Sequence, residues 1–210
     1  MKFEPARIVS ARDLSTFRPP APVDGEGVER AVALILEAIG EDPSRPGLVD
    51  TPRRVAQSYT ELFGGYGVDP VSVLEPLADE RAHGLIMVRD IDVTSMCEHH
   101  MLPFTGTAAV AYLPGDDGRI AGLSALARVV EVLARRLQVQ ERLVREIGDA
   151  IDEALAPRGV FVVIAAEQLC MTIRGARKPG SVTVTTDARG VFADDAAART
   201  ELLALAGMAR

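Results

Sequence analysis

The sequence predicts an α+β fold, and three observations lead there. Strand-like segments at Leu85–Val93 and Thr105–Leu113 come first, rich in apolar and β-branched residues. Two helical segments, Leu123–Leu137 and Val139–Leu155, follow with no strand between them. Strands then return at Val160–Ala166, Leu169–Arg174 and Ser181–Thr186, joined by short links. Strands, a helix pair and strands again is not the regular alternation of a βαβ protein.

The elements follow in order. Residues 1–25 hold Pro5, Pro19, Pro20 and Pro22 without periodicity and read as a flexible N-terminal arm. Val28, Ala31, Val32, Leu34, Ile35 and Ile39 keep a helical period that stops at Gly40. A second helix starts with Thr51 as N-cap and Pro52 at its first position, carries Val55, Tyr59, Leu62 and Phe63 on one side, and stops at Gly64-Gly65. Residues Val68–Ala82 read as connector. The run Pro114 to Gly118 is a turn after the second strand, Pro157 and Gly159 break the second long helix, and a short helix begins near Asp195. This divides the chain into the arm (1–25), an N-terminal helical region (26–83) and a main domain (84–210), without repeats or low-complexity segments.

Composition narrows the function classes. The chain has 210 residues, 48% hydrophobic and 25% charged, as in ordinary globular proteins. No apolar run approaches the roughly 20 residues that cross a bilayer, and Met1–Ser10 carries Lys2, Glu4 and Arg7 with no apolar core of a signal peptide. A cytoplasmic protein with no membrane partner is expected. The formal charge of −7 argues against a nucleic-acid partner, because duplex binding wants a basic face. All but Lys2 and Lys178 of the 23 basic residues are arginine. Arginine suits phosphate and carboxylate, although a GC-rich genome gives the same bias.

Chemistry concentrates in Ser95-Met96-Cys97-Glu98-His99-His100. Cys97 and His100 are three apart, so on a turn both point at one centre, whereas on a strand they would face opposite sides. Thiolate and imidazole are favoured zinc ligands, and Cys170, the chain's other cysteine, is a candidate third. Three protein ligands leave a fourth position for water, the catalytic arrangement. A buried, inert cysteine beside a satisfied histidine pair is the competing explanation.

Several motifs together resemble one known family. Cys97-Glu98-His99-His100, Gly122-Leu123-Ser124 with Leu126-Ala127-Arg128, Gln138-Val139-Gln140-Glu141-Arg142, and Cys170-Met171 with Arg174-Gly175 are similar to GTP cyclohydrolase I, in its order and at its intervals. Thr51-Pro52-Arg53-Arg54-Val55-Ala56 resembles its N-terminal helical segment, so the likeness runs from about Val28 to the C-terminus. The resemblance implies a tunnelling fold: an antiparallel sheet with two helices on one face, preceded by the helical region. It also implies a homodecamer of two pentamers with active sites between subunits. The implied reaction opens the imidazole ring of GTP at C8 and yields 7,8-dihydroneopterin triphosphate and formate, in tetrahydrofolate and other pterin synthesis.

By position, the resemblance implies that Cys97, His100 and Cys170 hold Zn2+ and that His99 is a general acid/base. Glu141 would read guanine, whose N1–H and exocyclic amine are adjacent donors for one carboxylate, with Gln140 supporting that edge. Without the resemblance, Glu141 reads as a first-turn charge complementing a helix dipole. Ser124 and Arg128 at a helix start, with Arg54 and Arg174, would hold the triphosphate. Each of these arginines alone reads as a solvated side chain, as do Arg135, Arg136 and Arg142, and His83 reads as exposed.

Two positions depart from the family. Gln168 stands where the family usually has histidine, and Ala125 where it usually has lysine. Glutamine cannot transfer a proton at neutral pH, so one acid/base group is missing from the catalytic set of His99, Ser124 and residue 168. Three outcomes therefore compete: the full reaction; a variant enzyme that stops at a ring-opened formamidopyrimidine or takes a less phosphorylated guanine nucleotide; and a non-catalytic nucleotide- or pterin-binding regulator.

Overall fold

A computed structural model describes residues 23–208. Residues 1–22 of the expected arm lie outside the described residues. Helix α1 (Gly25–Ala38) is capped by the Asp24 side chain, which accepts from the Gly27 N–H at 3.0 Å. Helix α2 (Thr51–Leu62) has Asp50 at its N-cap, so Thr51 and Pro52 sit one place further in than the sequence suggests. Pro52 still falls among the donors that have no helical partner, which is why it is tolerated there.

Helices α1 and α2 form a hairpin that reaches the rest of the chain through a 3-10 turn at Gly64–Gly67. Here the Gly65 N–H donates to the Arg135 carbonyl at 3.1 Å, and Arg136 donates back to the carbonyls of Gly65 at 3.1 Å and Val68 at 2.9 Å. A Cβ on Gly65 would stand 2.0 Å from the Val132 carbonyl oxygen, so only glycine allows this approach. Arg136 is thus an anchor rather than a solvated charge.

The expected connector after Val68 is partly ordered. It contains a 3-10 turn, Val71–Leu74, and β1 (Pro76–Arg81), which pairs antiparallel with β4 (Arg119–Ala121). The main sheet comprises β2 (Ile86–Cys97), β3 (Pro103–Leu113), β5 (Leu137–Gln138), β6 (Gly159–Gln168) and β7 (Val182–Gly190), in the order β5-β2-β3-β6-β7. All neighbours are antiparallel except β5 with β2. The two-residue strand β5 replaces the end of the first expected long helix, so that helix α3 (Leu123–Ala134) closes early and α4 (Gln140–Leu155) follows directly.

Sequence periodicity explains the packing. Leu126, Val129, Val130 and Leu133 of α3 and Leu143, Ile147, Ile151 and Leu155 of α4 form helical stripes. They share one core with alternate residues of the strands, among them Val93, Phe104, Val110, Val162 and Ile164. The intervening residues Ala109, Ala111, Phe161 and Val163 pack on Phe192 and on Leu202 of helix α7 (Ala196–Leu205). Strand β6 is therefore covered on both faces, which is why Val160–Ile164 is uninterrupted apolar sequence. Asp195 caps α7, and a helical turn α6 (Val191–Asp194) precedes it. The expectation of a strand at Leu169–Arg174 is also overturned. Leu169–Thr172 forms a single helical turn, α5, and the chain doubles back through Gly175 before β7.

Candidate metal centre and substrate site

Cys97 is the last residue of β2, and the chain turns sharply after it. The Met101 N–H donates to the Cys97 carbonyl at 2.8 Å, and the Cys97 N–H to the Leu102 carbonyl at 2.9 Å. Met101 takes φ 51°, the left-handed conformation that ends such a turn. The turn brings His100 back toward Cys97, as the spacing requires. From the other side, α5 presents Cys170. The two sulfurs and one imidazole nitrogen of His100 all lie within 4.8 Å of one another, and neither cysteine is in a disulfide. Two thiols and an imidazole converging this closely fit a zinc ion in their donor chemistry.

The surroundings are charged on one side. His99 Nδ1 is 3.8 Å from Cys97 Sγ, so His99 borders the cluster. Arg174 Nη1 donates to His100 Nε2 at 3.0 Å. Burial pushes the Cys170 thiol pKa up, neighbouring Cys97 adds to the rise, and Arg174 pulls weakly the other way.

Gln168 ends β6 two residues before Cys170, and its amide orientation is determined by its neighbour. Gln140, buried at the start of α4, donates from Nε2 to the Ile164 carbonyl at 2.9 Å, the Thr183 carbonyl at 3.0 Å and Thr185 Oγ1 at 3.1 Å. Two of these partners can only accept, so the Gln140 amide cannot be reversed. Its carbonyl oxygen therefore faces Gln168, which must answer with Nε2, at 2.7 Å. Gln140 is thus occupied in holding residue 168 and the β6–β7 pair.

The remaining candidates occupy three places. Glu141 is exposed on the first turn of α4, beside Gln140. Ser124 and Arg128 are exposed one turn apart on α3. Arg128 lines a cavity of about 350 Å³ with Ile91, Asp92, Thr94, Glu131 and Arg135, along the edge of β2. Thr94 is roughly 10 Å back along the strand from Cys97 at the usual rise per residue. Arg54 lies on α2, paired with Asp50 at 3.3 Å. Ala125 is buried in the main core, so the residue after Ser124 is a packing position as well as a missing charge.

Sequence reasoning missed Arg142. It is not a solvated arginine: Nε donates to Gln138 Oε1 at 3.0 Å, and Nη2 to the Leu137 carbonyl at 2.8 Å and Glu98 Oε2 at 2.5 Å. The available signal was the four-residue step from Gln138 to Arg142 and again to Glu146.

The profile of the family "GTP cyclohydrolase I" matches residues 28–207. Relatives named GTP cyclohydrolase 1 include that of Carboxydothermus hydrogenoformans, 56% identical over 88% of this chain and 96% of that protein. The protein from Geobacillus kaustophilus is 57% identical over 85% of this chain and 94% of its own length. That from Mycobacterium tuberculosis is 55% identical over 87% and 90% respectively. Among solved structures, the apo archaeosine synthase QueF-Like overlaps 52% of this chain at 14% identity and a TM-score of 0.41, too weakly to bear on the fold.

Proposed function

Because the chain belongs to the GTP cyclohydrolase I family and is an enzyme of that type, we propose that it opens the imidazole ring of GTP at C8, holding zinc through Cys97, His100 and Cys170. The convergence of those three donors at the β2–β3 turn is the observation that supports this reading most directly. Bound there, zinc would act as a Lewis acid and activate water at neutral pH.

The chain's own residues supply the rest. His99, beside Cys97, can carry a proton to and from the ring being opened. Glu141 accepts the paired N–H groups of guanine, and adenine lacks that pair. Ser124, Arg128, Arg174 and Arg54 bind the triphosphate. Arg54 sits on a hairpin away from the sheet, which fits a site completed between subunits of a tunnelling-fold decamer. In this reading residues 84–210 form the catalytic domain, residues 26–83 the helical region used in assembly, and the enzyme is cytoplasmic. No helix among the described residues is long and apolar enough to cross a membrane.

A second reading is favoured by Gln168. Its amide is tied to Gln140 and offers the site a carbonyl oxygen and one non-acidic N–H. Ring opening needs few proton transfers, whereas loss of formate, ribose rearrangement and ring closure need more. A protein that stops at the ring-opened formamidopyrimidine matches this deficit, and the charge missing at Ala125 favours a less phosphorylated guanine nucleotide. Incubating zinc-loaded protein with GTP and following products by mass spectrometry decides the matter. Pteridine with stoichiometric formate supports the full reaction, and a formamide without formate supports the second reading. Unchanged GTP refutes both, and faster turnover of GDP or GMP than of GTP identifies a less phosphorylated substrate.

A further inference from the structure

The Cys97–Met101 turn is held at more than its two ends. Glu98, between the first cysteine and the histidines, is bound through both main chain and side chain. Its N–H donates to the Gln138 carbonyl at 3.0 Å, where β5 runs parallel to the end of β2. Its carboxylate accepts from Arg142 at 2.5 Å. Arg142 is itself immobilised: its guanidinium spans Glu98, Gln138 and the Leu137 carbonyl, and its side chain is only 25% exposed. Gln138 is buried, and its amide donates to the Leu133 carbonyl at the end of α3 at 3.0 Å and to Glu146 of α4 at 2.8 Å. A continuous polar chain thus runs from both core helices to the residue next to Cys97.

The geometry points to Arg142 and Glu98 as a positioning pair: the fork of Arg142 fixes the path of the turn and so pre-sets Cys97 and His100 for a metal ion. The inference rests on the reading that Cys97, His100 and Cys170 bind metal. Three physical facts support it. A planar guanidinium with three partners on two elements is a directional clamp, whereas a lysine ammonium reaches one or two of them. Glu98 lies inside the three-residue spacing that brings the ligands together, so any rotation there moves Cys97 relative to His100. The turn ends in a left-handed non-glycine residue, Met101, a conformation that persists only where its surroundings hold it. Neither residue touches the ligand atoms in the structure's hydrogen bonds, so their effect would be on ligand placement rather than on donor chemistry.

The test measures zinc affinity and thermal stability of the full-length protein, with Zn2+ titrated against a colorimetric chelator. Glu98→Gln keeps the shape and removes the charge, and Arg142→Met keeps the stem and removes the fork. Each is expected to weaken zinc binding about 10- to 100-fold, the usual range for residues that orient metal ligands. The double variant should be little worse than either single one, because both break the same clamp, and Arg142→Lys should recover part of the loss. Arg189→Met is the control. Arg189 clasps Asp149 and Asp152 in the C-terminal half of α4 together with Asp187 of β7, so its loss should lower the melting temperature and leave zinc affinity unchanged. If Arg142→Met does not fold, the half-exposed Glu98→Gln carries the test. Zinc affinity within two-fold of wild type in Glu98→Gln, or additive losses in the double variant, overturns the positioning role. Wild-type protein that takes up no zinc overturns the metal reading, and this inference with it.

Discussion

Gln168→His exchanges an amide for a ring that can carry a proton, at a position where the structure sets the orientation in advance. Gln140 cannot turn its amide, because its nitrogen faces the carbonyls of Ile164 and Thr183. A histidine at 168 would therefore donate one ring N–H to the Gln140 oxygen, as Gln168 does now at 2.7 Å. The second ring nitrogen would be left for the substrate. One hydrogen bond replaces another, so the fold should change in stability by less than about 1 kcal/mol. The chemical gain should be much larger. A positioned acid/base group contributes about 10²–10⁴-fold, or roughly 2.7–5.4 kcal/mol of barrier at 1.36 kcal/mol per decade. The assay is a single turnover of GTP with zinc-loaded protein, scoring formamide by mass spectrometry, formate enzymatically and pteridine by fluorescence. Wild type should accumulate the formamide, and Gln168→His should convert it. If wild type already releases stoichiometric formate at a rate the variant does not exceed, the reasoning fails, and His99 with water performs every transfer.

Four further outcomes follow from the same geometry. Cys170→Ser should abolish stoichiometric zinc and turnover together. Because burial raises the Cys170 thiol pKa, the folded protein favours the protonated thiol, whose proton zinc must displace; zinc affinity should therefore fall as pH is lowered and climb as pH rises toward that raised pKa, measured by chelator competition across pH. Glu141→Gln should weaken GTP binding by roughly 1–3 kcal/mol with little change in melting temperature, because an amide turns a donor toward one of guanine's donors; unchanged affinity by calorimetry would make Glu141 only a helix-start charge. Ala125→Lys should cost about 1–3 kcal/mol in denaturant unfolding, since a long stem must be threaded through a packed core before its charge reaches water, and unaltered stability would show that the helix yields there.

Local chemistry made much of the chain legible. The spacing of Cys97 and His100 demanded a turn, and the Met101-to-Cys97 hydrogen bond supplies one. The stripes of α3 and α4 and the uninterrupted run of β6 were visible because their burial repeats with the period of the backbone. Elements decided by distant partners were not visible. Leu137-Gln138 becomes a strand only because the end of β2 lies alongside, which no local pattern encodes. Leu169–Arg174 has strand composition, yet β7 rather than this segment takes the place beside β6, and the chain coils into one helical turn that carries Cys170. Arg142 and Arg136 looked like solvated arginines and Gln140 like a support for the guanine edge, because what holds each of them is a set of acceptors 4 to 71 positions away. Candidate chemistry was thus easier to read than the residues that hold it in place.

The hydrogen bond between Gln168 and Gln140 also bears on how such a site can change over generations. Histidine and glutamine codons differ by a single third-position base, and both side chains can give an N–H to the same waiting oxygen. Either residue therefore satisfies the architecture, and a lineage can cross between them in one mutation without passing through a misfolded intermediate. Purifying selection for stability is blind to that exchange, so only the demand for product keeps one residue or the other. Position 140 has no such freedom. A glutamate there, also one base away, would set a carboxylate against two carbonyls, and such alleles would be lost through the fold whatever reaction the site performs.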